Sequence, residues 1–142
     1  LNGTASAVIL CKKFLKGRER FLIINGDEIQ QRKEIAICLR HKYCWVLTPA
    51  NDPKLSGIAE LKKNNLIKEV IERPDKPKSN WSAAGTIVVD TNIFKFRPQK
   101  KKKKGEYYFT SMMNQFLKKY PVYAVFGKKR IPFTSLYDLK KS

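Results

Sequence analysis

Short apolar runs alternate with amphipathic stretches along this chain, and that alternation limits the fold more than any other feature. Residues 4–16 (TASAVILCKKFLK) keep apolar side chains on one helical face and lysines on the other. Thr4 is placed to cap that helix and Gly17 to end it. Residues 20–25 (RFLIIN) are apolar between charge and an Asn-Gly pair, the pattern of a buried strand, and parallel pairing is expected for it. Residues 30–42 read as a second helix with Ile35, Cys38 and Leu39 inward, and 43–48 (YCWVLT) as another buried strand. Residues 57–61 and 66–72 then read as a hairpin, 82–90 as a strand, and 91–96 as a short helix. A helix at 107–119, a strand at 122–126 and a last helix at 134–141, capped by Thr134 or Ser135, complete the chain. An alternating start with a hairpin inserted after it predicts an α/β fold: a mixed, mostly parallel central sheet flanked by helices.

Charge and cysteines narrow the partners. The net charge is +18, yet lysines are scattered over the whole of residues 1–142, which suit a single domain. Dispersed charge argues for a lysine-rich surface and an anionic substrate rather than nucleic acid. Only Lys100 to Lys104 form a block, so residues 97–105 (RPQKKKKKG) are expected as a basic mobile loop. No apolar run reaches the ~18 residues of a membrane span. Cys11, Cys38 and Cys44 include no C-x-x-C, and His41 is the only histidine, which argues against zinc. Cys11 and Cys38 sit among apolar residues and are expected as buried free thiols, which implies a reducing, cytoplasmic setting.

Four features could carry chemistry. Gly3-Thr4-Ala5 opens a helix, where free amides and the helix dipole favour an anion, although most such starts are only caps. Asn25-Gly26-Asp27-Glu28 follows a strand, where a carboxylate can hold a magnesium ion or simply cap the next segment. Glu72-Arg73-Pro74 ends a strand. The glutamate can accept from sugar hydroxyls and the arginine can neutralise phosphate; a solvated salt bridge is the plainer reading. Ser82-Ala83-Ala84-Gly85 is small enough for close approach of a ligand or of another element.

In order and spacing, these pieces resemble the nucleotidyltransferases that make nucleoside-diphosphate sugars, such as glucose-1-phosphate thymidylyltransferases and mannose-1-phosphate guanylyltransferases. The matching pieces are Gly3 to Ala7, FLIINGDEI at 21–29, Ser56 to Glu60, VIERPDKPKSN at 70–80, Ala84 to Val89, and Gly105 to Thr110. The resemblance implies a Rossmann-like nucleotidyltransferase fold, with a nucleoside triphosphate and a sugar 1-phosphate as substrates and the NDP-sugar as product. The sugar phosphate would attack the α-phosphorus and pyrophosphate would leave, with catalysis by positioning and by charge neutralisation from Mg2+ and basic side chains. By motif match, Gly3 and Thr4 would lie near the nucleotide, and Asp27 would bind both nucleotide and metal. Gly57, Glu72 and Gly85 would touch the sugar, and Arg73 would take a catalytic lysine's place.

Two departures qualify that implication. The family's glycine-rich phosphate loop has no counterpart here, so the fold is expected to be incomplete at its N-terminus, in keeping with a start at Leu1. Pro132 stands where the family has a second metal-binding aspartate, and Ser111 where it has an acid; Asp138 is a poor substitute. The 142 residues are therefore expected not to transfer nucleotides unaided. A non-catalytic, sugar-nucleotide-binding regulator is the second reading. A nucleic-acid module, with Tyr107, Tyr108 and Phe109 beside the lysine block, is the third. A missing first strand–helix unit would leave a bare sheet edge, so homo- or hetero-oligomerisation or poor solubility is expected.

Overall fold

A computed structural model describes residues 3–17, 19–100 and 105–130. Helix α1 (Thr4–Leu10) runs into a 3-10 turn at Cys11–Phe14, and strand β1 (Arg20–Ile24) follows. Helix α2 (Arg32–Cys38) leads to strand β2 (Cys44–Pro49). Strands β3 (Gly57–Leu61) and β4 (Ile67–Glu72) form the hairpin, and the long strand β5 (Trp81–Asp90) returns through the sheet. A 3-10 turn at Thr91–Lys95, helix α3 (Phe109–Leu117) and strand β6 (Tyr123–Phe126) complete the described chain. The helix expected at 134–141 and Pro132 lie outside the described residues.

The sheet runs β4-β3-β5-β2-β6, with β1 also on β5. It is mixed and flanked by helices, as expected. Parallel pairing does not predominate, however: β2–β6 is the one parallel ladder among the described strands, and β1 pairs antiparallel with β5. An apolar run sets burial but not strand direction, and here β5 turns back through the middle of the sheet. β2 is central, and its side chains from Cys44 to Thr48 are buried on both faces. β1 is only half-buried. Its other edge has no strand partner among the described residues, and Ile24 is 46% exposed.

Alternation sorts the sheet's side chains to two cores. Tyr43, Trp45, Leu47, Ile87 and Val89 pack with α1 and α3. Val46, Ala84, Val88 and Val125 pack with Cys38 of α2. The mostly apolar, even-spaced face of α3 explains its position: Phe109, Met112, Met113, Phe116 and Leu117 are all buried. Asn114 of α3 behaves like an extra strand toward β4. Its amide donates to Val70 O at 2.8 Å, and its carbonyl accepts from Val70 N at 2.9 Å. That pairing satisfies the backbone of Val70 on the outer edge of β4.

The cysteines differ from expectation. Cys38 and Cys44 form a disulfide that ties the end of α2 to the start of β2, and Cys11 is exposed. Five intervening residues let the fold bring both sulfurs into the same small core, a juxtaposition that spacing alone does not reveal. The inference from buried free thiols to a reducing compartment loses its basis. No helix among the described residues is long and apolar enough to cross a membrane.

Candidate functional site

The register of β5 builds the site. At Ser82, β5 pairs with Thr48 of β2 on one side and with Ile58 of β3 on the other. At Ile87 it pairs with Trp45 of β2 on one side and with Ile23 of β1 on the other. β1 and β3 therefore share one edge of β5, end to end. The carboxyl end of β1 faces the amino end of β3 across Ala83-Ala84-Gly85. Two motifs far apart in sequence, Asn25-Gly26-Asp27-Glu28 and Ser56-Gly57, thus meet at one gap.

Glycine permits both sides of that gap. A methyl group on Gly85 would come within 2.3 Å of the Asn25 side chain, and Asn25 N donates to Gly85 O at 2.8 Å. Gly57 lies opposite Glu72 in the hairpin, where a methyl group would approach Glu72 Oε1 to 3.2 Å. Glu72 also accepts a short hydrogen bond from Thr110 Oγ1 of α3. Arg73 follows with φ of 49°, a left-handed conformation that non-glycine residues adopt at a cost, and its N–H is fixed to Ser56 O at 2.9 Å. A cavity of about 290 Å³ opens beside Glu72, walled by Tyr108, Thr110, Asn114, Gln99 and Lys100. Burial pushes the Tyr108 phenol above its ordinary pKa, and its hydrogen bond to Glu106 at 3.0 Å adds to the rise, while the Arg73 charge opposes it.

Thr4 does not take the capping role expected of it, and Gly3 packs against the segment before α3. Gly3 has φ of +90°, and a methyl group there would strike Tyr107 O at 2.5 Å. Ala5 N donates to that same carbonyl at 3.0 Å, so an amide of this helix start is already engaged. Thr4 does not cap α1; its Oγ1 accepts from Phe109 N at 3.0 Å, at the start of α3. The segment 107–110 therefore joins the α1 start to the Glu72 cavity. Thr4 and Asn25 together line a second, mainly apolar cavity of about 340 Å³ between α1 and β1.

Asp27 stands exposed on the turn beyond β1. Glu28, next to it, is committed: its Oε2 accepts from Gly85 N at 3.2 Å and from Arg130 Nη1 at 2.9 Å. Arg130 also bonds Glu34 of α2 and Gln30, and Glu34 Oε1 accepts from Lys128 N at 3.0 Å. This buried network lies on the α2 side of the sheet and straps the Asp27 turn to the segment after β6. Sequence reasoning missed Thr110, Arg130 and Glu34. Their partners are dozens of positions away, and nothing local to them signals the contacts.

No three His, Cys, Asp or Glu side chains converge to hold a metal among the described residues. Mg2+ takes few protein ligands, usually one or two carboxylates, and is completed by water and substrate phosphates. A lone exposed Asp27 suits that kind of site.

The nucleotidyl transferase family model matches residues 1–131. The chain belongs to the nucleotidyl transferase family. It is 31% identical over 119 residues to the bifunctional protein GlmU of Methanocaldococcus jannaschii, covering 83% of this chain and 28% of that one. It is 27% identical over 99 residues to glucose-1-phosphate thymidylyltransferase of Xanthomonas campestris pv. campestris, covering 63% of this chain and 32% of the relative. A structure assigned as glucose-1-phosphate thymidylyltransferase from Bacillus anthracis superposes with a TM-score of 0.77 at 25% identity, over 99% of this chain and 59% of that one. UDP-glucose pyrophosphorylase, solved with UDP-glucose, shares the fold at a TM-score of 0.78 and 18% identity, over 99% of this chain and 60% of that chain. The chain thus spans about a third or less of the length of these two sequence relatives.

Proposed function

We propose that these residues form the sugar-binding and metal-binding side of a domain that joins a nucleoside triphosphate to a sugar 1-phosphate, releasing pyrophosphate. The observation that carries the reading is the convergence at one edge of β5: Asn25 on Gly85 and Glu72 on Gly57. By the Ile58–Ser82 register Gly57 falls beside Ala83, two positions from Gly85. At ~3.3 Å per residue the two contacts are about 7 Å apart along the strand, a span that one ligand bridges. Both lie on the α3 side of the sheet.

In this reading Glu72, held in place by Thr110, accepts from sugar hydroxyls, and Arg73 meets the sugar phosphate. An arginine offers a planar fork where a lysine would offer a point charge, so phosphate recognition here is more directional. Gly57 and Gly85 leave room for the ligand's approach. Thr4 and Gly3 define the nucleotide end through their contacts with Tyr107 and Phe109. Mg2+ would be held by Asp27 and would neutralise phosphate oxygens. In phosphoryl-type transfer the protein's contribution is chiefly placement and charge.

The 142 residues contain no glycine-rich run that could wrap a triphosphate with backbone amides. We therefore infer that they bind the sugar nucleotide but do not turn it over unaided. Two measurements test this together. Calorimetry with UDP-glucose should show binding that Glu72→Ala weakens by about tenfold or more. Pyrophosphate exchange with each common triphosphate and Mg2+ should stay at the level of an Asp27→Ala control. Absence of any NDP-sugar binding would overturn the substrate reading, and robust exchange would overturn the inactivity.

A further inference from the structure

We propose that a basic cleft at the C-terminal end of α3 binds single-stranded nucleic acid. In sequence the lysines look scattered, but the fold gathers several of them. Lys95, Phe96, Gln115, Lys118, Lys119 and Tyr120 line a cavity of about 460 Å³. A second hollow of about 200 Å³ shares Lys118, Lys119 and Tyr120 and adds Lys62 from the β3–β4 turn. Neither wall contains an aspartate or a glutamate. Lys42 lies over the Tyr43 ring, 5.2 Å from its centroid, and that ring packs on Tyr120. Four chain segments thus contribute cations around one aromatic floor.

The floor is rigid. Phe96 meets Phe116 edge-on at 5.9 Å, and Tyr120 contacts Phe116 at 4.5 Å and Tyr43 at 5.5 Å. Phe116 is fully buried, so both half-buried rings are held by the core. Lys119 Nζ sits 5.8 Å from the Phe96 centroid, so cation and ring face the same space. Fixed rings between mobile cations are what a single strand requires: base stacking is worth ~1–3 kcal/mol per base, and lysines track the phosphates. A volume of this size holds a nucleotide unit. An acidic peptide would use the lysines but not the rings. An anionic membrane would require apolar groups that protrude, whereas these rings lie in a hollow.

The cleft is separate from the sugar site. Thr110 and Tyr108 are at the opposite end of the nine-residue α3, about 12 Å away at ~1.5 Å per residue.

Fluorescence anisotropy with a labelled 20-nucleotide oligo(dT) at moderate salt tests it. The wild-type chain should bind, and Lys118→Glu/Lys119→Glu should weaken binding by more than tenfold. A control double reversal, Lys12→Glu/Lys13→Glu on the turn after α1, changes net charge equally and should cost less than threefold. Loss of two phosphate contacts should also reduce the salt slope by about 1.4, at ~0.7 per contact for single strands. A single Lys95→Glu, outside α3, gives the same reading should the double variant unfold. Equal losses in the two double variants would show only diffuse charge and overturn the proposal. So would no binding by the wild type, or binding to anionic phospholipid vesicles without binding to oligo(dT).

Discussion

Replacing Arg130 with methionine asks how much of the molecule depends on the strap between the Asp27 turn and the segment after β6. The Arg130 side chain is 8% exposed, and its partners Glu28 and Glu34 are 19% and 8% exposed. Methionine keeps much of the apolar volume and removes the charge, which leaves two carboxylates facing each other without a cation. Removing one partner of a buried ion pair costs ~3–5 kcal/mol, because the remaining charge stays desolvated. At ~0.05–0.15 kcal/mol per residue, a domain of this length has about 7–21 kcal/mol in total, so the variant should still fold. Urea unfolding followed by tryptophan fluorescence at neutral pH should show a midpoint lower by about 1.5–2.5 M, taking a slope of ~2 kcal/mol per molar. Adding Glu34→Gln to the same chain should recover about half or more of the loss, because a neutral amide tolerates burial without a cation. Glu34→Gln alone, with Arg130 present, should be the milder single change. A loss under about 1 kcal/mol for Arg130→Met would refute the reasoning, as would a double variant no more stable than the single one. Either result would mean that water reaches the carboxylates.

Two further perturbations address the gap and the core. Gly85→Ala puts a methyl group 2.4 Å from Asn25 Cβ, and such overpacking should cost ~1–3 kcal/mol in urea unfolding. Asn25→Gly in the same chain should return most of that loss as a coupling energy; a double variant as unstable as Gly85→Ala alone would count against the close contact. Tyr43 donates its phenolic proton to Asp90 Oδ2 at 2.7 Å, and burial, with help from that carboxylate, pushes its pKa from 10.0 up to about 12. The folded state holds this proton more tightly, so the stabilisation is fully present below pH 10.0 and fades as pH rises toward about 12. The stability difference between wild type and Tyr43→Phe should shrink over that window, and a constant difference would contradict the assignment.

Much of the fold was legible because burial is written in the sequence's periodicity. The runs at 20–25, 43–48, 57–61, 66–72, 82–90 and 122–126 all became strands within a residue or two. The helices were shorter than their patterns. α2 ends at Cys38, and Leu39, expected inward, is 45% exposed. The disulfide to Cys44 turns the chain there, and pairing of cysteines is a spatial fact that an apolar context misreports. Strand direction was equally invisible. An apolar strand looks the same whichever way its neighbour runs, so the preference for parallel pairing at β1 had nothing local to correct it.

The candidate site divides along the same line. Small residues and carboxylates at strand ends, Gly57, Glu72, Gly85 and Asp27, are local patterns, legible as candidates. What holds them is not local. Thr110 reaches Glu72 across 38 positions, and Arg130 reaches Glu28 across 102. The two glycines also carry a meaning that their sequence context understated. Neither is left-handed; each is small because a side chain from the neighbouring strand fills the space where its Cβ would be. Gly85 admits Asn25 and Gly57 admits Glu72. A close approach of that kind fixes two strands laterally as well as clearing room for a ligand, so a substitution at either glycine should disturb packing and binding together. Glu72 is the better place to separate the two. Glu72→Gln keeps the volume beside Gly57 and still accepts from Thr110, but it removes the charge that strengthens hydrogen bonds from sugar hydroxyls. Stability should therefore change little while sugar-nucleotide binding falls.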